Sequence, residues 1–145
     1  MTSSSHRSFA SDEDVIQMAH AFFDKTLPLD QWRHREHCAV TLYLLLQRPG
    51  IDPEKVLPDL IREYVAATGG QNTATSGYHH TMTLFFIQSI RAFKDGLPPG
   101  LSLSAACNLL LQSPVADKSF ALRHYSKDRL YSDEARARWV APDLG

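Results

Sequence analysis

The sequence predicts an all-α fold, a compact helical bundle of about four main helices plus short C-terminal helices, and three observations predict it. Apolar residues recur at helical spacing, capping residues and Pro/Gly stops punctuate the chain at helix-length intervals, and no useful stretch alternates like a strand. At 145 residues, with 43% hydrophobic and 21% charged, the chain has the size and balance of one globular unit. Residues 1–10 read as a flexible N-terminal segment and residues 11–145 as a single helical domain.

Ser11-Asp12-Glu13-Asp14 reads as a capping box, followed by Val15, Met18, Ala19, Phe22 and Phe23 at helical spacing until Pro28. Asp30 can cap a second helix that runs to about residue 48 and ends at Pro49-Gly50. Its second half (Ala39, Val40, Leu42 to Leu46) is apolar nearly all round, the pattern of a central buried helix. Asp52-Pro53 opens a third helix with Leu57, Leu60, Ile61 and Tyr64 on one face, and Pro58 is expected to delay or bend it.

A polar segment over residues 69–77 leads into a fourth helix, roughly 78 to 95, closed by Gly96 and Pro98-Pro99. Ser102 or Ser104 can cap a fifth helix through Leu111, and Ser113-Pro114 marks another start toward Leu122. Ser126 and Ser132 look like caps of short pieces, the last ending near Trp139 before Pro142. Helices two and four, with the strongest apolar patterns, should pack together. Phe120, Leu122, Leu130, Trp139 and Val140 make the C-terminal third too apolar for a dispensable tail.

Fifteen basic against sixteen acidic residues leave a formal charge of −1, which argues against a nucleic-acid partner. The start has no apolar signal region, and nothing approaches the roughly 18 consecutive apolar residues of a membrane span, so a cytoplasmic protein is expected. Cys38 and Cys107 lie in apolar helical patterns far apart in sequence, which favours two free core thiols.

The chain holds seven histidines. His34 and His37 are three residues apart, on one helical face from which both can reach one ion. On the fourth helix Met82, Phe86, Ile90 and Phe93 define a face centred on His79, which should point inward. His80 lies about 100 degrees away, near the edge of that face, so both rings cannot reach its centre on a regular helix. A buried imidazole needs a partner for each nitrogen, and two solutions are open: a metal ion, or hydrogen bonds to groups such as Thr83 or Tyr43. Zinc, iron or copper would suit such a cluster better than magnesium or calcium. His6, His20 and His124 are weaker candidates, although Arg123-His124-Tyr125 could fold over a site.

Trp32-Arg33-His34-Arg35-Glu36-His37 and the segment Asn72-Thr73 through Gly77-Tyr78-His79-His80-Thr81-Met82-Thr83 resemble the W-x-H-x-x-H and N-T-x-T-x-G-Y-H-x-T-x-T signatures of a family of short uncharacterised bacterial proteins. Tyr125-Ser126 and the run from Glu134 to Trp139 and Pro142 are similar too, so the resemblance spans most of the chain. It supports grouping His34, His37 and His79 and implies no particular reaction. Relatives have an acidic residue where His80 stands, which puts any transferred acid/base role in doubt.

The expectation is therefore a metal-binding helical protein, a metal-dependent enzyme acting on a small molecule by hydrolase, lyase or oxygen-using chemistry. His34, His37 and His79 would ligate one transition-metal ion (zinc, iron or copper), with His80 and Tyr78 as catalytic groups. Tyr43, Asn72, Thr73 and Thr83 would contact the substrate. The alternatives are a non-catalytic small-ligand-binding protein, with Phe85, Phe86, Tyr43 and Leu46 lining an apolar pocket, and a helical interaction module.

Overall fold

A computed structural model describes residues 6–73 and 75–144, and among them every regular element is helical. Residues 1–5 of the expected flexible segment, Ala74 of the polar loop and Gly145 lie outside the described residues. The helices are α1 (Asp12–Phe23), α2 (His34–Gln47), α3 (Pro53–Ala67), α4 (His80–Asp95), α5 (Leu103–Leu111), α6 (Lys127–Leu130) and α7 (Asp133–Ala137). No described helix is long and apolar enough to cross a membrane.

The caps explain most of these boundaries. Ser11, Asp52, Ser102, Ser126 and Ser132 each accept a backbone N–H in the first turn of their helices, which satisfies a donor that the helix itself leaves open. Pro58 sits inside α3 and neither delays nor ends it. The expectation for the second helix needs correction. Asp30 belongs to a separate 3-10 turn (Leu29–Gln31), and α2 begins after Arg33, whose extended backbone donates its N–H to Glu36 Oε1 at 3.1 Å. The stretch after Ser113 also differs: it forms two 3-10 turns, Pro114–Ala116 and Lys118–Arg123, rather than one helix.

The centre of the core is α2, as its all-round apolar pattern predicts. Cys38, Ala39, Val40 and Leu42 are fully buried, and α2 packs against α1, α4 and α5. Cys38 and Cys107 are both buried free thiols. Phe22 stacks on Trp32 (centroids 4.3 Å apart, planes 11° apart) and leans on Tyr64, whose hydroxyl donates to the Leu27 carbonyl at 2.6 Å. This cluster fixes the α1–α2 connection and with it the position of Trp32. Phe9, within the segment read as flexible, is buried: Arg35 lies over its ring at 3.9 Å, and its backbone exchanges hydrogen bonds with Asn108.

The C-terminal third closes back onto the start of α4. The Thr81 hydroxyl donates to the Arg138 carbonyl (2.9 Å) and accepts the Val140 N–H (3.1 Å), while Arg136 reaches the carbonyls of Gly77 and Tyr78. Leu130 and Val140 are buried here, but Trp139 is 37% exposed and contributes less to the core than its size suggests.

Candidate functional site

The first turn of α2 and the entry to α4 face each other across a cleft of about 370 Å³. Trp32, His34 and His37 line one side, and Tyr78, His79, Met82, Thr83 and Phe86 line the other. Ile61 and Val65 of α3 add an apolar wall, and Arg33 and Lys118 stand at its exposed edge. Three expected metal ligands thus border one space, and so do Tyr78 and Thr83.

Their nitrogens, however, are differently engaged. His34 donates through Nε2 to the Val115 carbonyl at 3.0 Å. Burial holds its pKa below the usual histidine value, against the opposing pull of that carbonyl. His79 is not an interior residue of α4, as expected, but its N-cap: Nδ1 accepts the Met82 N–H (3.1 Å) and Nε2 donates to the Leu130 carbonyl (2.8 Å). Both nitrogens are therefore used, by partners other than the Thr83 or Tyr43 side chains. Burial again lowers its pKa.

His37 is the exception. Its ring meets Trp32 edge-on (5.9 Å, 87°), and burial, followed by the neighbouring His34, drives its pKa down to about 3. The imidazole is neutral at ordinary pH. Among the described residues, its Nε2 is the one fully shielded side-chain nitrogen or oxygen without a hydrogen-bond partner.

No group of three or more His, Cys, Asp or Glu side chains among the described residues is placed to hold a metal ion. His34 and His79 spend their Nε2 atoms on carbonyls, and the His34 and His37 ring centroids are 6.2 Å apart. As arranged, the imidazoles do not form a ligand set.

The two expected catalytic groups pair with each other, the Tyr78 hydroxyl lying 2.7 Å from His80 Nδ1. Burial pushes the hydroxyl up to about 12, and burial, then Arg62, lowers the His80 pKa. Tyr78 also borders a second cleft, of about 560 Å³, with Asn72, Thr73 and Arg62, whose guanidinium lies 4.3 Å from its ring. Asn72 shapes the loop: Oδ1 accepts the Tyr78 N–H, and Nδ2 donates to the Arg62 carbonyl, both at 3.0 Å. Thr73 accepts the Thr75 N–H at 3.2 Å within the same turn. Gly77 fits there only because it lacks Cβ. Its φ is +81°, and a Cβ would run into the Gln71 carbonyl and Asn72 Oδ1.

Thr83 donates its hydroxyl to the His79 carbonyl at 2.8 Å. Tyr43 lies elsewhere, in an apolar cleft with His20, Phe23 and Leu60. Six residues beyond His37, it is turned by about 240 degrees around α2 and faces a different side. Phe85 is also absent from the histidine-lined cleft, packing against Phe120, His124 and Tyr125.

Three contributors were missed from sequence. Trp32 stands in the W-x-H-x-x-H motif, where an aromatic residue just before two helical histidines is a fair signal for a shared face. Arg33, followed by other polar residues, carries no signal that separates it from ordinary helix surface. Lys118 carries no local signal, because it arrives from an irregular turn far along the chain. Comparison with family models, with curated proteins and with solved structures gave no match, so the reading of this cleft rests on its own geometry.

Proposed function

We propose that the protein binds a small organic molecule in the cleft between α2 and α4, with the His37 imidazole as its inner polar contact. The observation that carries this reading is the shielded, unpartnered Nε2 on a residue that lines the cleft. Buried polar atoms are nearly always paired, and leaving one unpaired costs about 1–3 kcal/mol. An occupant that hydrogen-bonds to this nitrogen offsets that cost, and the broad torsional well of the imidazole lets the ring turn toward it. The volume and the largely apolar, aromatic lining suit a small ligand.

The state of Tyr78 argues against one catalytic role, that of a general base. A hydroxyl held at about 12 stays protonated and acts as a hydrogen-bonding group, not as a base. A transition-metal centre would require His79, both of whose ring nitrogens are engaged, to give up Met82 or Leu130. The resemblance to the short bacterial family fits the same reading, since the two segments that carry it face each other across the cleft. We place the protein in the cytoplasm, where it binds a small metabolite, supported by its two free buried thiols.

Native mass spectrometry of protein purified without an affinity tag, beside His37→Phe, tests the proposal. An organic adduct on the wild type that is lost from a folded His37→Phe protein is expected. An adduct retained unchanged by the variant overturns the assignment. Stoichiometric metal, lost from His34→Ala and His79→Ala alike, restores the metal-centre reading in its place.

A further inference from the structure

Resting on that binding reading, we infer that the ligand is an anion with a flat apolar body, an aryl or heteroaryl carboxylate, whose acid group sits between Arg33 and Lys118. The cleft is cationic at its edge and uncharged within. No Asp or Glu among the described residues lines it. Neither cation has an ion-pair partner among the described residues. Arg33 uses only Nε, donating to the Asp30 carbonyl at 3.0 Å, and its terminal nitrogens remain for a planar two-oxygen acceptor.

Lys118 acts inward as well as outward: its charge opposes protonation of both His34 and His79. Asp117, beside it in sequence, draws His34 the other way but is itself bound by the Ser119 N–H and hydroxyl, and Glu36 is paired with Arg35. Asp117 keeps its negative charge, so Arg33 and Lys118 leave one net positive charge at this rim. The interior explains the rest of the ligand. Trp32, Phe86, Met82, Ile61 and Val65 offer flat and aliphatic surface with no further charge, which suits an aromatic ring better than a polyphosphate. His37 then meets a polar atom of that ring or of its substituent.

The test is a calorimetric titration of wild type and Arg33→Gln/Lys118→Gln with a panel of aryl carboxylates, from benzoate to 1-naphthylacetate, and their primary amides. Ring-nitrogen NMR of His37 reports occupancy, and circular dichroism checks that the variant is folded. Two exposed cations predict that the best acid binds about five- to tenfold more tightly than its amide. The double variant should bind both at the level of the amide, and added salt should erase the wild-type preference. Amides that bind as well as acids while shifting the His37 signals overturn the anion and leave the cleft as a binding site, as does a preference that survives in the double variant. Absence of binding and of His37 shifts across the whole panel overturns the cleft reading itself.

Discussion

The Tyr125 hydroxyl donates to the carbonyl of Val140 at 2.7 Å, across fifteen residues of chain and with both groups buried. This bond ties the C-terminal segment to the core. Burial pushes the hydroxyl up to about 12, so it remains a donor throughout the ordinary pH range. Tyr125→Phe should cost about 1–2 kcal/mol by leaving the carbonyl unpaired, measured as a lower urea midpoint at unchanged slope. An unchanged midpoint would mean that this bond adds nothing to the cooperative unit.

His79 holds two elements with one ring, capping α4 and binding the Leu130 carbonyl. His79→Ala should lose about 2–3 kcal/mol, combining a lost cap with a stranded carbonyl. His79→Asn, a good cap too short for Leu130, should lose less. Thermal unfolding of the two variants checks this order, and equal losses would assign the whole effect to Leu130.

Stability should fall in acid. His34, His37 and His79 all have folded-state pKa values below the ordinary histidine value of 6.5, with His37 down to about 3. The unfolded chain then binds more protons below about 6.5, so the stability from neutral imidazoles is complete above that pH and drains away as pH falls toward 3. For each histidine still neutral in the fold, the slope is about 1.4 kcal/mol per pH unit. Urea unfolding at pH 7.5 and pH 5 measures it, and His37→Phe should flatten the curve.

Gly77→Ala should be costlier than Gly69→Ala, although both positions have positive φ, +81° and +97°. A Cβ at Gly69 meets open space, whereas one at Gly77 strikes the Gln71 carbonyl and comes within 2.7 Å of Asn72 Oδ1. About 1 kcal/mol is expected at Gly69 and at least about twice that at Gly77. Calorimetric melting of the two proteins compares them.

Much of the fold was legible because caps and periodicity are local. Ser11, Asp52, Ser102, Ser126 and Ser132 each cap the helix their spacing predicts. The start of α2 was misplaced because Asp30 is an equally good cap in isolation, and only the Arg33–Glu36 pairing selects the later start. The shared cleft of His34, His37 and His79 was legible from helical direction. What their nitrogens bind was not, since the Val115 and Leu130 carbonyls come from a 3-10 turn and from the end of α6, dozens of residues away, with no signature in side-chain identity. Tyr43 was assigned to the site for its chemistry, while its angle around α2 already turned it away.

The two hydrogen bonds of Thr81 to the returning chain, spanning 57 and 59 residues, have a consequence for exchange with solvent. The residue that caps α4, and so shapes the cleft between α2 and α4, depends on Leu130, while the Thr81 side chain in the same turn is fastened to residues 138 and 140. Any opening of the tail thus loosens the wall of the cleft, and by reciprocity an occupant of the cleft must hold the tail shut. Hydrogen–deuterium exchange at residues 125–140 is expected to slow when the cleft is filled, although none of these residues lines it. A protease nick in this segment is expected to loosen the same wall.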